Sequence, residues 1–204
     1  MNKINNIIFD LGGVLLNLDI KRALNQFRSL GVHNIEEFFT GGHVAAAFKD
    51  YEVGLINDQQ FIESLKGLCG VSVSDQQVID TWNSMLLDFP KERIDFLKEL
   101  KKKYRLFLLS NTNAIHLDYF RHIYRRSFGD TSLDELFEKA YYSHLIKMRK
   151  PDLAAFEFIL ADNNLKASET VFVDDSPINV EAARKVGILG IHLEPGMDVV
   201  DLDL

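Results

Sequence analysis

From residue 91 to residue 193 the chain alternates between two patterns, and this alternation limits its possible folds more than any other feature. Short apolar runs stand at 105–111 (RLFLLSN), 139–143 (KAYYS), 170–175 (TVFVDD) and 187–193 (GILGIHL). Helical patterns occupy 91–103, 113–125, 152–164 and 177–186. Buried runs separated by amphipathic helices specify a parallel sheet with helices on both faces. Residues 4–10 read as one more short buried strand, whereas 17–88 hold several helical patterns and no convincing strand. The expectation is an α/β core, 1–16 and 89–204, interrupted by an all-helical insertion over 17–88. SDQQ at 74–77 has the reciprocal pattern of a capping box and predicts a helix start. Pro151 suits the first turn of the helix expected from 152.

A chain of 204 residues with 47% hydrophobic content suits one compact domain with an inserted lobe. Its net charge of -7 gives no electrostatic footprint for nucleic acid or an anionic membrane. The single cysteine, Cys69, excludes an internal disulfide, fits a reducing compartment and is expected to pack as a small apolar residue. The N-terminal apolar run is too short for a signal peptide, and no stretch reaches the roughly 18 apolar residues of a membrane span. The sequence thus predicts a soluble, cytoplasmic protein. Trp82 and Phe89 are expected to pack within the helical lobe.

In open α/β sheets ligands bind at the carboxyl ends of the strands. The first strand here, in IIFDLGGVLL (7–16), ends at Asp10; the next ends at Ser110 and Asn111; a later one ends at Asp174 and Asp175. Lys150 lies just ahead of a helix in the stretch between. A helical insertion that follows Asp10 would sit over this edge as a lid. Two adjacent carboxylates need a cation or donors nearby. The set suits phosphoryl transfer: one carboxylate attacks phosphorus, and oxygen-ligated Mg2+ cancels the repulsion between the two anions. Lys150 adds a point charge, Ser110 can donate to phosphate oxygens, and Gly12 and Gly13 allow close backbone approach.

The same residues carry a resemblance that spans nearly the whole chain. IIFDLGGVL, LFLLSN, RKPD and VFVDDSPINV are similar, in order, to the four motifs of the haloacid dehalogenase-like hydrolase superfamily, most of whose members are phosphatases. The resemblance implies a Rossmann-like core with a helical type 1 cap at 17–88. It implies Asp10 as nucleophile, Ser110 as phosphate-binding hydroxyl and Lys150 as charge-stabilising lysine. It implies Mg2+ bound by Asp10, the Gly12 carbonyl and Asp175, with Asp174 beside them and Asn179 in the surrounding shell. Asn111 would join Ser110 and Lys150 in holding the phosphoryl oxygens. SNTNAIH (110–116), YEVGLINDQQF (51–61) and YYSHLIKMRKPD (141–152) resemble a sugar-phosphatase branch known for hydrolysis of α-D-glucose 1-phosphate and related to the phosphatase domain of bifunctional epoxide hydrolases. Lys147 stands where that branch leads one to expect glycine, and is read as a surface residue.

Typical members carry a second aspartate two residues after the nucleophile, as general acid and then base; here that position is Gly12. Such proton transfer is worth about 10²–10⁴-fold. An anomeric sugar oxygen leaves with less protonation than an ordinary alkoxide, so Gly12 is compatible with sugar 1-phosphates. His116 and His144 lie close to the motifs and are the candidate substitutes. The partner implied is a small phosphorylated substrate; the chain could be a monomer or a homodimer. The alternatives are a metal-independent haloacid dehalogenase, which the Asp174–Asp175 pair disfavours, and a non-catalytic binding protein on the same fold, which the presence of Asp10 and Lys150 disfavours.

Overall fold

The computed structural model describes residues 3–32 and 43–204. Five strands form one parallel sheet: β1 (Asn6–Phe9), β2 (Arg105–Ser110), β3 (Lys139–Tyr142), β4 (Thr170–Asp174) and β5 (Leu189–His192), in the order β3-β2-β1-β4-β5. Strand β1 lies at the centre, with Phe9 opposite Leu108 on one side and Val173 on the other. All five strands fall inside the runs read from the sequence.

Period-two alternation divides the strand side chains between two apolar layers. Ile7, Phe9, Leu108 and Val173 join one cluster, together with Ile94 and Leu97 of α5 (Lys91–Leu100) and Phe120 of α6 (Ala114–Phe128). Ile8, Phe107 and Phe172 face the other way, onto Phe156 and Ile159 of α8 (Leu153–Asp162) and Ala183 of α9 (Pro177–Lys185). The sheet is therefore covered on both faces. A short helix, α7 (Ser143–Ile146), follows β3.

Among the described residues, four helices stand between β1 and α5: α1 (Ile20–Ser29), α2 (His43–Glu52), α3 (Asp58–Lys66) and α4 (Asp75–Asn83). The capping box at 74–77 forms, with Ser74 and Gln77 each accepting the other's backbone N–H, and Asn57 and Gln60 build a second one ahead of α3. The chain leaves and re-enters the core along a paired crossing. Leu18 bridges Leu86 antiparallel, and Asn17 N–H donates to the Asp88 carbonyl at 2.9 Å. The helices pack on an aromatic cluster: Tyr51 stacks on Phe61 at 4.2 Å, and Phe61 meets Trp82 edge-on at 5.2 Å. Phe89 is buried, as expected, but packs beyond the paired crossing on Tyr124 of α6.

Two local expectations need correction. Helix α8 begins at Leu153, so Pro151 precedes its N-cap Asp152 and is joined to Lys150 by a cis peptide bond. Cys69 is only half-buried, at a helix end where its Sγ meets the Leu65 carbonyl. No described helix is long and apolar enough to cross a membrane.

Candidate active site

The carboxyl edge of the sheet gathers the expected residues at β1, β2 and β4. Asp10 follows Phe9, and its N–H donates to the Val173 carbonyl at 2.9 Å, which extends the β1–β4 ladder by one residue. Ser110 and Asp174 are the last residues of β2 and β4, and both are buried. Lys150 enters from the loop before α8. Asn111 clamps its main chain on both sides: the Asn111 amide donates to the Lys150 carbonyl, and the Lys150 N–H donates to Asn111 Oδ1, each at 2.9 Å. That clamp fixes the Asn111 side chain through its Oδ1 and one of its two amide hydrogens.

The clamp sets a side chain only 1% exposed between two carboxylates. Lys150 Nζ lies 2.6 Å from Asp10 Oδ1 and 2.7 Å from Asp174 Oδ2. Asp174 also accepts from the Ser176 N–H at 2.7 Å and, on both oxygens, from Asn179 Nδ2 at 3.1 Å. Its lone pairs are thus already engaged. Asp175, beside it, is exposed, while His192 Nε2 meets its main-chain carbonyl at 3.0 Å.

Each of Asp10, Asp174 and Asp175 presents one oxygen, and all three oxygens lie within 4.8 Å of one another. Burial, with the charge of Asp174, pushes the Asp10 carboxyl upward against the pull of Lys150. Asp175 is exposed as a residue, but partial desolvation of its carboxyl within the site and the charge of Asp174 also push it upward. Burial opposes the Lys150 ammonium, yet Asp10 and Asp174 hold it above its ordinary value. Three carboxylates against one ammonium leave an excess of two negative charges. That excess and an all-oxygen donor set fit a hard divalent cation.

A cavity of about 120 Å³ opens beside this cluster. Gly12, Ser110 and Asn111 line it from the sheet edge, Phe48, Glu52 and Trp82 from the helices. Trp82 therefore does more than pack the lobe: it forms part of the cavity wall. His116 also lines the cavity, but its ring stacks on Trp82 at 4.7 Å and its Nε2 meets the Trp82 carbonyl at 3.2 Å. Burial pushes its pKa down to about 4, so the ring stays neutral. His144 is half-buried, and burial lowers its pKa too.

One residue that sequence reasoning passed over stands out. Glu52, the last residue of α2, is 6% exposed, lines the cavity, and has Oε2 2.9 Å from Arg149 Nη2. It lies in the stretch 51–61 that carries the branch resemblance, where no role attaches to it, and a carboxylate ending a helix opposes the macrodipole. Lys147 is exposed, as expected, but takes the left-handed conformation (φ 57°) that ends α7. The loop geometry suited to glycine is thus kept with a lysine.

Residues 4–187 match the family described as haloacid dehalogenase-like hydrolase. A D-ribitol-5-phosphate phosphatase from Bacteroides thetaiotaomicron is 29% identical over 195 residues, 96% of this chain and 94% of that protein. A sesquiterpene phosphatase from Aspergillus oryzae is 28% identical over 91% of this chain and 88% of that one. Among solved structures, a wild-type enzyme of the same family from Bacteroides thetaiotaomicron, in complex with magnesium and inorganic phosphate, is 37% identical with a TM-score of 0.87, covering 96% of this chain and 97% of the other.

Proposed function

The chain belongs to the haloacid dehalogenase-like hydrolase family, and from that premise we propose that it is a Mg2+-dependent phosphatase acting on a small phosphorylated metabolite. The observation that carries this reading is the Lys150 ammonium held 2.6 Å from Asp10 and 2.7 Å from Asp174, with Asp175 alongside. A nucleophilic carboxylate needs a cation at that distance when its target is itself an anion. Mg2+ would be held by Asp10, the Gly12 carbonyl and Asp175, with Asp174 and Asn179 around it, and would supply charge neutralisation for nucleophile and phosphate together.

The steps follow from the side chains. Ser110, Lys150 and the backbone of Asn111, Gly12 and Gly13 hold the phosphoryl oxygens. Asp10 attacks phosphorus in line; its bond to phosphorus forms as the bond to the leaving oxygen breaks, and that oxygen takes up a proton. Water then attacks the aspartyl-phosphate, loses a proton, and inorganic phosphate leaves with Asp10 restored. The helices within 17–88 act as a cap that excludes bulk water.

The substrate proposed is a sugar or polyol phosphate. The D-ribitol-5-phosphate phosphatase relative supports that class; glucose 1-phosphate, whose anomeric oxygen leaves with little protonation, is the member that least needs a proton donor at the Gly12 position. The single cysteine fits a cytoplasmic setting. A metal-free dehalogenase reading is disfavoured, because the excess of negative charge would repel a haloacid anion.

The test is phosphate release from a panel of sugar, polyol and alkyl phosphates, with Mg2+ and with EDTA. Mg2+-dependent release, abolished by Asp10→Asn, is the expected result. Full turnover by Asp10→Asn, or release unaffected by EDTA, would overturn the reading.

A further inference from the structure

The position two residues beyond Asp10 is Gly12, so the main chain beside the nucleophile holds no group that can move a proton. We infer that Glu52, brought to the cavity by the end of α2, gives a proton to the leaving-group oxygen and later takes one from the attacking water. This rests on the phosphatase reading above.

Three features of Glu52 support the assignment. The first is place: Glu52 lines the same small cavity as Leu11 and Gly12, the residues that follow Asp10, and as Ser110 and Asn111 at the end of β2, so it borders the space next to the phosphoryl site. The second is incompleteness. Glu52 Oε2 is buried and accepts no hydrogen bond; Arg149 Nη2 is 2.9 Å away without an aligned N–H, and Arg149 Nε is buried without a partner too. Buried polar groups left unmade in this way are costly, and of the two residues Glu52 is the one that lines the cavity, where a polar ligand would give its carboxyl a partner. The third is protonation. Burial pushes the Glu52 carboxyl up to about 7 against the opposing charges of Arg149 and Lys150. A group that is part acid and part base near neutral pH is suited to both transfers.

The competing groups are less suited. His116 is neutral, with Nε2 engaged by the Trp82 carbonyl. Burial holds His144 below its ordinary value, and it does not line the cavity.

The proton balance is closed. As Asp10 Oδ bonds to phosphorus and the P–O bond to the leaving group breaks, the Glu52 carboxyl proton passes to the leaving oxygen, which departs as an alcohol. As water oxygen bonds to phosphorus and the Asp10–P bond breaks, the Glu52 carboxylate takes the water proton. Both partners are then ready for the next cycle.

Glu52→Gln tests this, because the amide keeps the shape and removes the proton. p-Nitrophenyl phosphate has a leaving group that departs as its anion, so only the second step should suffer. Rapid mixing should give a burst of about one nitrophenolate per active site at the wild-type rate, followed by slow turnover. Alkyl and polyol phosphates should lose about 10²–10⁴-fold in kcat with no burst. Glu52→Asp, which keeps an acid one methylene shorter, should recover part of the alkyl rate and serves if the glutamine variant folds poorly. A wild-type rate on alkyl phosphates, a burst slowed as much as the alkyl reaction, or a rise in KM alone would each overturn the inference. The phosphatase reading fails differently, through a wild-type chain that releases phosphate from no substrate.

Discussion

The carboxylate of Asp175 occupies the space in which a side chain at Gly13 would begin: a Cβ built there would lie 2.3 Å from Asp175 Oδ2. Gly13 also has φ +77°, where a side chain is strained. Gly13→Ala should therefore displace Asp175 and weaken Mg2+ on the order of 10–100-fold. Gly129 supplies the control, because its φ is +80° and nothing lies within 4 Å of its Cβ position. Gly129→Ala should carry backbone strain alone, about 1–3 kcal/mol in the glycine-only region it occupies (φ 80°, ψ -160°), and leave Mg2+ dependence unchanged. Mg2+ titration of phosphate release on both variants decides the matter; equal shifts would remove the role given to the contact.

Lys150→Met should destabilise the protein by about 3–5 kcal/mol, because it leaves Asp10 and Asp174 buried and facing each other with no cation between them. Mg2+ should restore part of the loss, since it replaces some of the missing charge. Denaturant unfolding with Mg2+ and with EDTA measures both. A variant as stable as wild type in EDTA would contradict the electrostatic account of the site.

The sheet and its carboxyl edge were legible because their causes are local. Each strand is a short apolar run, and Asp10, Ser110 and Asp174 sit at or next to the ends of such runs, where chain direction alone brings them together. What was not legible depends on contacts between distant segments. Asn111 reads as a ligand beside Ser110, and only the fold shows that its side chain also clamps the Lys150 main chain 39 residues away. Trp82 reads as lobe packing, and only the folded arrangement places it on the wall it shares with Ser110. Glu52 falls in a stretch that carries the branch resemblance, but only burial and Arg149 set it apart as a chemical group.

Lys147→Gly should stabilise the fold by up to about 1 kcal/mol. Lys147 pays the left-handed penalty of a residue with a Cβ, and glycine avoids it at a smaller cost in unfolded-chain entropy. Lys147→Val, branched at Cβ, should move the other way. Urea midpoints for the three proteins give the comparison; a glycine variant less stable than wild type would show that the lysine side chain contributes contacts which outweigh the strain.

His116 should make the fold acid-sensitive. Its folded pKa, about 4, lies below the ordinary 6.5 because burial disfavours the charged ring. Between those values the unfolded chain binds more protons than the folded one, so stability rises with pH and falls on acidification through this window. Between about pH 7 and about pH 5 the loss from this group alone is about 2 kcal/mol. His116→Phe keeps an aromatic ring against Trp82 and cannot titrate. At neutral pH it should cost about 1 kcal/mol, since the Trp82 carbonyl loses its partner. On acidification the gap between the two proteins should close and then reverse. Other titrating groups, Glu52 included, are common to both, so the difference between their unfolding free energies isolates His116. Parallel pH curves for the two would mean that the ring is not buried as the Trp82 stack requires.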